Sequence, residues 1–135
     1  MLKLILLITT IFSVLVASHY TIHTMVASAL NLNQATRRVL LGLLLGLSFV
    51  FPISLTLLLN NWHNGFSWGM YLFGAVWMGL AVNLLLAAGL YWFLVGASRL
   101  INHPPPLRPM ALVLGVMALL FSGWGMAQAM FPTMH

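Results

Sequence analysis

The sequence predicts an all-α integral membrane protein: a bundle of four transmembrane helices running up, down, up and down. Three observations carry that prediction. The chain of 135 residues is 62% hydrophobic and 4% charged, whereas a soluble domain carries about 25% charged residues. Its apolar residues fall into four runs, each able to supply the about 20 helical residues that cross a hydrocarbon core. The segments between runs are short and rich in Asn, Pro, Gly and Arg, which makes successive helices antiparallel neighbours in one membrane domain, residues 1–135.

Lys3 and the apolar run Leu4–Ala17 also fit a signal peptide, with small residues around Val16-Ala17-Ser18. Read on to Met25, the run becomes a first span at about residues 4–25, with Thr9, Thr10, Ser13 and His19 inside it. Asn31-Leu32-Asn33-Gln34 breaks it, and Thr36-Arg37-Arg38 leads into a second span at about residues 39–59. That span holds Gly42 and Gly46, a GxxxG pair suited to helix packing. It also holds Pro52, whose missing N–H frees a carbonyl that Ser48, Ser54 or Thr56 is expected to satisfy.

After the polar turn Asn60–Gly65 comes the longest uncharged run, a third span at about residues 68–98. Trp62, Trp68, Tyr91 and Trp92 near span ends read as interface belts, and the deeper Trp77 and Trp124 as packing between helices. Ile101–Pro109, with four prolines, reads as a stiff extended connector. The fourth span covers about residues 110–130.

The chain contains no Asp or Glu and no Cys. Carboxylate proton relays, paired-carboxylate hydrolysis, oxygen-ligand Mg²⁺ or Ca²⁺ sites and thiolate metal sites are therefore excluded, and the chain is read as no enzyme. Arg37, Arg38, Arg99 and Arg108 all fall in two loops on one side of the membrane. The positive-inside rule puts those loops in the cytoplasm and both termini outside, in a bacterial inner membrane. With no acidic side chain to pair with, the four arginines are expected to meet anionic lipid headgroups. They are too few for nucleic acid.

Three stretches carry a family resemblance: Leu47-Ser48-Phe49-Val50-Phe51-Pro52, Gly74-Ala75-Val76-Trp77-Met78-Gly79 and Gly123-Trp124-Gly125-Met126-Ala127-Gln128-Ala129. In their order and setting they resemble the N-terminal membrane region of calcineurin-like metallophosphoesterases, in which several apolar helices precede a soluble di-metal phosphatase domain. The resemblance covers most of the chain but only the non-catalytic part of that family. Its metal-binding motifs have no counterpart among these residues, so what it implies is a membrane anchor without phosphoesterase activity.

Two constellations could hold a ligand. His19 and His23, at i and i+4, lie on one face of the first span, where imidazoles can share a metal or ligate haem, or simply bond water and headgroups beside Tyr20. His63 and His135 fall on the opposite side of the membrane from His103, so no site gathers all five histidines. The nine methionines show no Met-x-x-Met clustering and read as apolar filling. Asn83, midway along the third span, is placed to orient a quinone or pigment, or to hydrogen-bond across a helix interface.

In the fourth span Ala111, Gly115, Ala118, Ser122, Gly125 and Ala129 recur at steps of four and three, a heptad stripe of small residues. Small residues let backbones approach in lipid, so the stripe is expected to be the buried face, packed on the third helix or on a partner subunit. The reading that follows is a non-catalytic, anchor-like multi-pass module with no cofactor, packed with itself or with other membrane subunits. The alternative is an accessory subunit of a respiratory or photosynthetic complex, lining a haem, quinone or pigment site.

Overall fold

Asn33 and Asn64 start the two middle helices. The Asn33 side chain accepts the Thr36 amide at 2.8 Å, and Asn64 forms a reciprocal capping box with Ser67. Each bond satisfies a backbone N–H that the first helical turn leaves without a partner. In the computed structural model, residues 2–60, 64–101, 103 and 106–130 are described. They form α1 (Leu2–Leu30), α2 (Gln34–Leu59), α3 (Gly65–Leu100) and α4 (Leu107–Met130), with no strand among them. All four are long and apolar enough to cross a membrane.

These helices outrun the hydropathic segments. α1 continues to Leu30 because Val26–Leu30 is small and apolar with nothing to break it; Asn31 then turns the chain at φ 49°, and the Leu32 amide reaches back to the Ala27 carbonyl. Capping by Asn33 draws Arg37 and Arg38 into the first turns of α2. The connector is shorter than expected: α4 begins at Leu107 and includes Pro109 in its first turn, where a missing N–H costs nothing. Nor does any hydroxyl relieve the carbonyl freed by Pro52, four residues back on Ser48. Ser48, Ser54 and Thr56 bond the carbonyls of Leu45, Phe51 and Pro52 instead.

Cross-helix contacts set the directions. Phe12 stacks on Phe49, and His23 bonds the Arg37 carbonyl: as the α1 number rises, the α2 number falls, so the pair is antiparallel. Between α1 and α3, His19 meets Trp77 and Thr24 meets Trp92, both numbers rising together, so that pair is parallel. α1 and α3 touch across the bundle, whereas α2 and α4 do not touch among the described residues.

Most of the apolar core lies in the half of the bundle nearest the arginines. There Ile22, Met25, Leu44, Ala88, Tyr91 and Val95 are buried together. Towards the other end α1 stands away from the rest: no residue before His19 on it is buried. α2 and α3 approach closely at one glycine. A Cβ on Gly74 would come within 2.9 Å of Phe51 Cα, so only glycine fits there without a shift.

Four expectations about packing change. Gly42 and Gly46 have nothing within 4 Å of where a Cβ would stand, because Leu44, Ser48 and Ser54 face inward from α2 and the glycines lie across the helix from Leu44. Tyr91 is a core residue at 1% exposure, not part of an interface belt, since it lies in the same buried cluster as Ala88, Ile22 and Met25. Trp124 is 69% exposed rather than between helices, since it sits off the α4 stripe. The stripe itself is divided: Ala111, Ala118 and Ser122 are buried and Gly115 half-buried, but Gly125 and Ala129 are exposed, where they border an open groove with Ala75 and Gly79 of α3.

Candidate functional site

Two polar contacts cross the interior, and each uses groups that the sequence places inside spans. His19 is buried at 1% exposure. Trp77 donates its indole N–H to His19 Nε2 at 3.1 Å, while His19 Nδ1 lies 2.8 Å from the Leu15 carbonyl. An indole nitrogen only donates and a carbonyl only accepts, so Nε2 is the acceptor and the single ring proton sits on Nδ1. Both nitrogens are thereby committed, leaving no lone pair for haem or metal.

His23, one turn on, points elsewhere. Its Nε2 donates to the Arg37 carbonyl at 2.9 Å, tying α1 to the start of α2, and its ring stacks on Tyr20. Nδ1 is buried and has no hydrogen-bond partner. The two imidazoles thus share a helix face but engage different helices, α3 and α2, and do not converge on one ligand. Among the described residues no three His, Cys, Asp or Glu side chains gather where a metal could be held.

The second contact joins α3 to α4. Ser122 donates its one hydroxyl proton to the Ala118 carbonyl at 2.9 Å, so toward Asn83 it can only accept. Asn83 Nδ2 fills that role at 2.9 Å and reaches the Gly79 carbonyl at 3.4 Å. This orients the amide: both Nδ2 protons are used, and Oδ1 makes no hydrogen bond among the described residues. Asn83 lines two neighbouring grooves on the α3–α4 face, of about 330 and 340 Å³.

A third contact ties α1 to α3, where Trp92 donates to Thr24 Oγ1 at 3.2 Å and Thr24 donates to the Thr21 carbonyl. No spacing pattern in the sequence marks Trp77 and Thr24 as the polar partners in these locks. The signal available was that a buried indole and a buried hydroxyl each need a partner.

Arg37, Arg38, Arg99 and Arg108 are all exposed, at the starts of α2 and α4 and the end of α3. Antiparallel neighbours bring these ends to one side of the bundle, and none of their first turns carries an acid. Arg37 Nε also donates to the Leu32 carbonyl at 3.0 Å, closing the α1–α2 turn. Trp62, His63 and His135 lie outside the described residues.

The chain matches no protein-family model, no curated protein and no solved structure.

Proposed function

We propose that this chain is a non-catalytic, anchor-like module of a bacterial inner membrane, similar to the membrane region of calcineurin-like metallophosphoesterases. In this reading both termini lie outside the cytoplasm, and the arginine end rests on anionic headgroups. One observation carries it: three side-chain hydrogen bonds of the bundle each hold one helix to another. His19 with Trp77, Asn83 with Ser122 and Thr24 with Trp92 each join two helices. A site built for chemistry would keep such groups free and convergent. The absence of every side-chain carboxylate supports the same reading, since it removes the usual carboxylate acids and bases.

The test is purification from membranes grown with ample haem precursor, followed by an absorption spectrum and mass analysis. A colourless protein free of large co-purifying subunits is the expected result. A Soret band abolished by His23→Ala, or stoichiometric recovery of larger subunits, would replace the anchor with the accessory-subunit reading.

A further inference from the structure

Among the described residues one buried side-chain polar atom is left without a partner, Nδ1 of the half-buried His23 on α1. The other ring nitrogen is committed: Nε2 donates to the Arg37 carbonyl at 2.9 Å, and a carbonyl can only accept. The neutral ring has a single proton, so Nδ1 carries a bare lone pair. A buried polar atom without a hydrogen bond costs stability, and its retention calls for a reason.

His19, one turn earlier, gives the contrast. Its Nε2 accepts from Trp77 and its Nδ1 donates to the Leu15 carbonyl, so a second proton would break a bond. At His23 a proton finds a free lone pair. It also finds a route. The ring is level with Arg37, an exposed residue in the first turn of α2, so water lies close by at that end of the bundle.

A proton at Nδ1 upsets the contact that holds the ring. It adds an N–H where the bundle offers no acceptor, and a positive charge where nothing balances it. The ionisable groups around it are cations, imidazoles or neutral phenols. α1 itself brings His19 and Tyr20, and α2 brings Arg37 and Arg38. α3 brings Tyr91 and Arg99, with His103 just beyond it, and α4 brings Arg108. The chain has no carboxylate side chain to set against them. Once charged, the ring is better satisfied in water or against a headgroup phosphate than in its covered position.

We infer that His23 is a pH-sensitive catch between α1 and α2, closed while the ring is neutral and released when Nδ1 takes a proton. The sign follows from counting protons. The caught ring holds one and the released ring, in acid, holds two, so the catch weakens as pH falls. An imidazole free in water takes its second proton at about pH 6.5, within the range that cellular compartments cover. The bonds from Trp77 to His19 and from Trp92 to Thr24 tie α1 to α3 and do not involve this ring. Release therefore opens the α1–α2 turn and leaves the bundle assembled, whether or not the chain is an anchor.

Nitrogen NMR of the full chain in lipid nanodiscs reads the ring directly. His23 should be neutral with its proton on Nε2 at about pH 7.5, and an imidazolium at about pH 5.5. Spin labels on Leu30→Cys and Leu43→Cys, both exposed and in a chain without cysteine, report the α1–α2 separation. Their distance distribution should be narrow at the higher pH and broaden to longer distances at the lower. The ratio of released to caught chains should rise by up to about tenfold over that interval, the ceiling for one proton on an imidazole that meets water when released. His23→Gln keeps an N–H for the Arg37 carbonyl but takes no proton, so its distances should stay narrow at both pH values. His103→Gln, which changes another histidine at the same end, should respond as the wild type does. A ring already charged at the higher pH, wild-type distances that ignore pH, or a response that survives in His23→Gln would each overturn the inference.

Discussion

Trp77 Nε1 and His19 Nε2 meet at 3.1 Å across the α1–α3 diagonal, joining residues 58 positions apart. The bond locks the two helices that cross the bundle and occupies the nitrogen a haem would need. It dictates the ring's tautomer as well. Nitrogen NMR of the detergent-solubilised protein should show His19 as the neutral ring with its proton on Nδ1. A proton on Nε2 would contradict the geometry. Trp77→Phe and His19→Leu should each lower resistance to SDS unfolding, with a double-mutant coupling of about 0.6–1.7 kcal/mol.

Gly74 and Gly46 should respond oppositely to the same change. At Gly74 an added methyl meets the backbone of Phe51, which cannot swing aside as a side chain would. Gly74→Ala is expected to cost about 1–3 kcal/mol by overpacking. At Gly46 the methyl meets nothing, so Gly46→Ala should be neutral or stabilising by up to about 1 kcal/mol through helix propensity. Reversed results in an SDS titration would place the close α2–α3 crossing elsewhere.

Asn83 and Ser122 form the only side-chain hydrogen bond between α3 and α4 among the described residues. Ser122→Ala removes the acceptor and leaves an Nδ2 proton unmet, whereas Asn83→Leu with Ser122→Ala removes both ends. The double variant should therefore be no less stable than the sum of the singles implies, by about 0.6–1.7 kcal/mol. Strict additivity would show that the bond contributes nothing.

Orientation is open to direct measurement. Alkaline phosphatase joined after His135 should be active, and a fluorescent reporter that matures only in the cytoplasm should stay dark at the same point. With either reporter inserted between His103 and Pro106 the pattern should reverse. The opposite result at both points would invert the topology drawn from Arg37, Arg38, Arg99 and Arg108.

By itself the sequence determined the fold class and the number of spans. Apolar runs of spanning length admit only helices in lipid, because each backbone N–H must find its partner within the segment. It also marked Asn83, by its polar side chain midway along a span, and the inner part of the α4 stripe, by its spacing, as packing residues. Helix ends were less legible, since Asn33, Asn64 and Pro109 set them by local hydrogen bonding, whereas hydropathy senses only the apolar stretch. Only the tertiary structure decided which faces meet: Gly74 and not Gly42 or Gly46 at a crossing, Tyr91 inside and Trp124 outside, His19 against Trp77. In water a buried face announces itself by being apolar. In a membrane the face toward lipid is just as apolar as the face toward protein, so periodicity names the faces of a helix without saying which one is covered.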